Sequence, residues 1–243
     1  MSKNTKTFDE AVETIATETT TAAVATTKPQ AVATIESGSD FVGEIDPSDI
    51  STPRLSVVQK VGELSEEFPS GTILLNRRLV VAKPGEPVKI TVAMAKKYYM
   101  EALPFGSETR PRVFMTAAEV DDADLTLKYN FETGEKATAK SCLDCLILVR
   151  SPEGVEAPEF NVTFDGEGYA VAQWNIASPS AYNAAGKSLL SARTMYLSHF
   201  AEQEWELTAN KMKFGANMVY VPEVKPSAKN TEEYIAWASS LLS

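Results

Sequence analysis

Between Arg77 and Arg112 the chain interleaves cations with aromatic rings: Arg77-Arg78, Lys96-Lys97-Tyr98-Tyr99, Phe105, then Arg110 and Arg112. Cations can follow a phosphate backbone and flat rings can stack on bases, each stack contributing roughly 1–3 kcal/mol by alanine substitution. The segment therefore carries what unspecific binding of a single strand requires. Side chains alternate along a strand, so Lys97 and Tyr99 share one face and Lys96 and Tyr98 the other. One pair is free for a ligand while its counterpart packs or meets solvent. Taken singly, a strand tyrosine is an ordinary sheet residue and a lysine an ordinary solubilising charge, so the argument rests on the cluster. Trp174, Lys211 and Lys213 are secondary candidates.

Charge distribution supports the same reading. The net charge of the 243 residues is −10. Three lysines against nine acids give residues 1–50 a charge of −6, whereas residues 54–112 hold ten Lys/Arg against six acids, or +4. The acidity is concentrated outside a locally basic segment, and it is the local field that a polyanion meets.

Other chemistry is sparse. Cys142-Leu-Asp-Cys145 is half of a zinc site or a redox pair, but zinc needs about four ligands and His199 is the sole histidine. The two cysteines are expected to be core thiols on a strand, in a reducing compartment. His199, late in an expected helix, reads as structural or exposed. Glu119, Asp121, Asp122 and Asp124 offer oxygen ligands for a divalent cation, but fit better as a solvated loop. Gly186-Lys187-Ser188 lacks the first glycine of a phosphate-binding loop. No dinucleotide, zinc-protease or nucleophile-elbow motif occurs. The expectation is a non-enzyme with no catalytic residue, metal or cofactor.

The elements that must position the cluster follow from period and turn chemistry. Residues 1–45 are a Thr/Ala-rich acidic stretch with too little apolar surface to offset chain entropy, and are expected to be a disordered tail. From residue 46 short apolar runs alternate with turn residues. Leu55–Leu64, Gly71–Ala82, Val88–Tyr99, Leu125–Phe131, Ser141–Arg150 and Phe160–Phe164 read as strands. Val88, Ile90, Val92 and Met94 fall on one face. Ser178-Pro179 starts a helix running to about residue 200, with Tyr182, Ala185, Leu189, Ala192, Tyr196 and Phe200 as its apolar stripe. Glu204–Leu207 and Phe214–Val221 follow as β segments around a turn at Ala209-Asn210. Asn230-Thr231-Glu232-Glu233 opens a last helix over residues 226–243, with Tyr234, Trp237 and Leu241 on one stripe. The fold class is mainly β (α+β), a small barrel or sandwich over residues 46–225.

A family resemblance enters here. Asp49-Ile50-Ser51-Thr52-Pro53-Arg54-Leu55-Ser56-Val57-Val58-Gln59, Gly71-Thr72-Ile73, Tyr182-Asn183 and Asn217-Met218-Val219-Tyr220-Val221-Pro222 resemble segments of bacteriophage single-stranded-DNA-binding proteins of replication and recombination, over roughly residues 48–223. The resemblance implies an OB-like small barrel whose groove holds single-stranded DNA, with Arg54 near its start and Lys96–Tyr99 beside the groove. It also implies phage or host replication and recombination proteins as partners. Such proteins often end in an acidic tail, whereas this chain places its acidic stretch at residues 1–45.

The expected function is non-catalytic single-stranded-DNA binding in phage DNA replication or recombination. Arg54, Arg77, Arg78, Lys96, Lys97, Arg110 and Arg112 would meet phosphates, and Tyr98, Tyr99 and Phe105 would meet bases. The alternative is a phage structural or adaptor protein that binds another protein; a metal-dependent nuclease using Asp121, Asp122 and Asp124 is a third reading. No run approaches the ~18–20 apolar residues of a membrane span, so no membrane partner is expected and the location is cytoplasmic, in the host if phage-encoded. Homo-oligomer formation and a DNA or RNA preference stay open.

Overall fold

A computed structural model describes residues 52–104, 106–130, 132–214 and 217–241. The predicted tail, residues 1–45, and Phe105 lie outside them. The described residues form a mainly β unit of two sheets with short helices. The first sheet has three strands in the order β1 (Leu55–Val57), β2 (Ile73–Leu75) and β3 (Leu79–Ala82). The second runs β10 (Asn217–Lys229), β9 (Gln203–Phe214), β4 (Val88–Glu101), β6 (Ala139–Arg150), β8 (Glu167–Ile176), β7 (Val162–Phe164), with β5 (Val113–Phe114) beside the far end of β4. The named strand pairs are antiparallel.

β6 shows why the large sheet sits where it does. Cys142, Leu143, Cys145, Ile147, Leu148 and Val149 are all buried, a near-continuous apolar run fitting a strand covered on both faces. On the inner face Leu143, Cys145, Ile147 and Val149 join the main core with Ile90, Val92, Trp174, Ile73, Leu75 and Leu189. On the outer face Leu148 and Tyr169 pack under α5 (Glu232–Ser240) with Tyr234 and Ala238. There Phe164, Tyr169, Tyr234 and Trp237 form a ring cluster with centroids 5.1 to 5.7 Å apart, and Tyr234 donates to Thr91 Oγ1 at 3.1 Å. Thr231 caps α5 by accepting from the Tyr234 amide. The predicted Tyr234, Trp237 and Leu241 stripe thus packs against the sheet.

The sheets do not close into a barrel by strand pairing among the described residues. Two lesser links join them. Arg54 forms a one-residue parallel bridge with Gln173 of β8. At the other side the Gln59 amide bonds Tyr220 twice, donating to its carbonyl at 2.8 Å and accepting from its N–H at 3.0 Å. Those bonds show that Tyr220 points its backbone polar groups to the open edge of β10. Pro222 and Pro226 share that parity, so their missing N–H groups also fall on the edge, which blunts further strand addition.

Several predicted elements take other forms. Leu55–Leu64 is not one strand: β1 stops at Val57, Val61 is exposed, and α1 (Leu64–Glu67) follows. Gly71–Ala82 folds as the β2–β3 hairpin because Asn76 and Arg77 both take positive φ, 53° and 61°. No strand forms over Leu125–Asn130, where Thr126 instead bonds Thr138 and Ala139; Phe131 lies outside the described residues. β8 went unread and fills the sheet between β6 and β7. β9 passes straight through Ala209-Asn210, which pair with Pro222 and Val221, and β10 runs beyond residue 225 to Lys229. Met94 leaves the face of Val88, Ile90 and Val92 because a bulge adds a residue between Val92 and Met94, and it is 54% exposed.

The helix begins as predicted at Ser178, whose hydroxyl accepts from the Ala181 amide with Pro179 next. It then passes from α3 (Pro179–Ala181) through a π-helical stretch, Tyr182–Gly186, into α4 (Lys187–Met195). Gly186 is there for close packing: a Cβ would sit 2.9 Å from Tyr182 Cδ2. The helix ends at Met195, so Tyr196 is exposed and His199 lies beyond it, preceding the 3-10 turn Phe200–Glu202.

Candidate nucleic-acid interface

The bulge in β4 decides which cluster residues face where. Past it, Ala95 opposes Cys145 and Lys97 opposes Leu143, both core residues of the inner face. Lys97, Tyr99 and Glu101 therefore continue the inner face, and Lys96, Tyr98 and Met100 the outer. Val113–Phe114 pairs beside this end with Phe114 opposite Tyr99. Two cation-x-aromatic pairs meet here. In each, a strand period of two puts the cation and the ring on one face. Lys97 Nζ lies 5.1 Å from the Tyr99 ring centroid and the Arg112 guanidinium 5.6 Å from that of Phe114, both within cation–π range. The result is a ledge of two half-buried rings with a cation on each.

Its electrostatics are fixed by neighbours. Lys97 has its pKa raised, chiefly by its contact with the Tyr99 hydroxyl, with Tyr182 assisting and partial burial opposing. Arg112 grips Glu101 with two bonds, Nε to Oε2 at 3.0 Å and Nη2 to Oε1 at 3.1 Å. That guanidinium holds the Glu101 carboxyl below the usual carboxylate range.

On the outer face Tyr98 is only 9% exposed and its hydroxyl accepts from Asn175 Nδ2 at 2.7 Å. Burial pushes its pKa up. It is a packed sheet residue and offers no free ring to a base. Lys96 is exposed on that face opposite Asp144.

The other predicted residues are dispersed. Arg54 is exposed and lines a small pocket of about 180 Å³ with Leu55, Gln173 and Asn175. Arg77 and Arg78 sit on the β2–β3 turn, paired with Glu63 at 2.7 Å and Glu159 at 2.6 Å. Arg110 is exposed on the loop before β5. Trp174 belongs to the core, and Lys211 and Lys213 are exposed on β9. Of the predicted residues the fold thus gathers Lys97, Tyr99 and Arg112, and it adds Phe114 and Tyr182. The signal for Phe114 was legible: Arg112-Val-Phe114 repeats the spacing of Lys97-Tyr-Tyr99.

The residues of the alternative chemistries lie apart among the described residues. Cys142 and Cys145, three apart on a strand, face opposite sides of β6, Cys142 beside Tyr98 and Cys145 in the core, where burial pushes its thiol up to about 12. Glu119 is no loop carboxylate: it lies on α2 (Ala117–Asp122), accepting from the Met115 amide and the Thr116 hydroxyl. Among the described residues no three His, Cys, Asp or Glu side chains gather to hold a metal, and no helix is long and apolar enough to cross a membrane. No known protein family, curated protein or solved structure matches this chain.

Proposed function

We propose that this chain binds single-stranded DNA without catalysis, as a phage replication or recombination factor, and that the ledge of Lys97, Tyr99, Phe114 and Arg112 is its contact surface. The observation that carries the reading is the meeting of two cation-x-aromatic pairs on one side of β4 and β5. Half-exposed rings accept stacked bases of any sequence, and the cations beside them meet the intervening phosphates. Tyr182, close to Lys97, bounds the ledge from the helix. Lys96 and Arg54 extend positive charge around the sheet, and Arg110 does so along the loop. The family resemblance implies an OB-like barrel; among the described residues the two sheets are linked by the Arg54 bridge and the Gln59 clamp and do not close by strand pairing.

The test is fluorescence anisotropy of labelled oligo-dT and of a matched duplex, at low and high salt. The expected result is binding to the single strand that weakens steeply with salt and is lost on Tyr99→Ala with Phe114→Ala. Absence of binding at low salt refutes the proposal and turns attention to a protein partner.

A further inference from the structure

Lys211 and Lys213, secondary candidates in the sequence, take no part in the ledge. Both lie on β9 in the parity of the core residues Leu207 and Ala209, so they continue the inner face of the large sheet past the end of its packing. Lys211 opposes Tyr220 of β10, and Lys213 opposes Met218. The Tyr220 amide and carbonyl are both bonded to the Gln59 side chain, away from β9. Lys211 and Tyr220 are therefore a non-hydrogen-bonded pair, the closer-set kind, with Cα atoms ~4.5 Å apart and side chains adjacent. The Tyr220 ring is held as well: it lies against Gly71, where a Cβ would come within 2.5 Å of its Cε1. Tyr220 is half-buried, whereas Lys211 and Lys213 are exposed and make no ion pair among the described residues.

This repeats the arrangement of the ledge, a fixed ring with a cation beside it on the inner face, toward the other end of the strands. The π-helical stretch Tyr182–Gly186 packs against β6, whose Leu143 opposes Lys97, and against β10 as well. One short helical stretch thus connects the ledge side of the sheet to the hairpin. Resting on the reading that the ledge binds a single strand, we infer that Lys211, Lys213 and Tyr220 form a second contact for that same strand. Two phosphates meet the lysines and one base meets the Tyr220 ring. The ring is what selects the occupant: an acidic peptide answers the lysines, but a base also has a flat face to set on a ring held in place.

The experiment compares two labelled oligo-dT strands by anisotropy with the full chain, one of about 6 nucleotides, within the ~4–16 that one such surface occupies, and one of about 30. Wild type is expected to bind the longer strand at least about ten-fold more tightly, because the second contact forms on a strand already held. Lys211→Met with Lys213→Met, both at exposed positions, is expected to remove most of that gain and to leave the short strand unchanged. The same pair should lower the long strand's slope of log affinity against log salt by about 1.4, or about 0.7 for each lysine. Tyr220→Leu, which keeps an apolar side chain on Gly71, is expected to weaken the long strand about ten-fold with its slope unchanged. Wild-type affinity and slope for the long strand in the lysine variant overturn the second contact and leave the ledge reading standing. Equal loss for both lengths also overturns it, since the lysines then act through the general field. Sensitivity to the lysines with none to Tyr220→Leu overturns it in favour of a bare cationic patch. Failure of both strands to bind wild type at low salt refutes the ledge reading, and the second contact with it.

Discussion

The two faces of β4 beyond its bulge carry nearly the same residues, Lys96 and Tyr98 outside, Lys97 and Tyr99 inside, and the fold uses them oppositely. The outer tyrosine is sealed against Cys142 with its hydroxyl on Asn175. The inner tyrosine keeps part of its ring open beside Phe114, with a lysine on it. What separates them is not residue type but what lies across the sheet. Opposite Tyr98 stands a fully buried cysteine, whereas Tyr99 opposes Ser141 at the end of the core and finds on its other side only the two-residue strand β5. A cluster of cations and rings therefore marks a surface only where the packing runs out.

That contrast can be broken or sharpened in five ways. The largest effect is expected from Tyr98→Ala, which should cost about 3 kcal/mol of stability through the cavity it leaves; urea denaturation measures it, and the folded fraction should still bind oligo-dT as wild type does. Next, Tyr99→Ala and Phe114→Ala should each weaken oligo-dT binding by about 1–3 kcal/mol while leaving the urea midpoint close to wild type. If both tyrosines instead cost stability and neither affects binding, the two faces are alike and the ledge is structural. Tyr98→Phe should lower stability by about 1 kcal/mol, since Asn175 loses its acceptor, again with no change in binding.

Smaller shifts concern charge. Lys97→Met should reduce the slope of log affinity against log salt by about 0.7 for a single strand, and Arg112→Met by less at neutral pH, because Glu101 holds that guanidinium. Lys96→Met, on the sealed face, serves as the comparison and should move the slope less. The smallest effect is a pH dependence. Pairing with Arg112 depresses the folded-state pKa of Glu101, so the pair's contribution is complete above the unfolded pKa and is lost as pH falls through the folded one. Protonation there frees Arg112, and oligo-dT binding should tighten at acid pH. Glu101→Gln should bind more tightly at neutral pH and show no such rise.

Legibility in the sequence varied with the physics of each element. β4 and β6 were readable because β-branched and apolar residues fill them between proline and glycine turns. β8 was not, since Ala170, Ala172, Gln173 and Asn175 have weak strand preference and owe their place to pairing with β6. The hairpin at Asn76-Arg77 escaped because the second residue lacks the glycine that usually marks two positive φ values. The alternation of Lys97 and Tyr99 was sound locally, but which side it faced depended on the bulge. Phe114 was missed because two residues make no strand on their own; the end of β4 supplies the pairing.

By itself the sequence determined the β-rich character, the helix starts at Ser178 and near Thr231, the separation of charge along the chain, and the pairing of cations with rings at a spacing of two. These follow from local sterics, hydrogen bonding and the period of a strand, which neighbours in the chain can express. Only the tertiary structure decided which tyrosine is sealed, which arginines are tied to carboxylates, and that Phe114 joins Lys97, Tyr99 and Arg112. Those outcomes depend on register across strands distant in sequence and on one inserted residue in β4, where a shift of one position turns every later side chain to the opposite face.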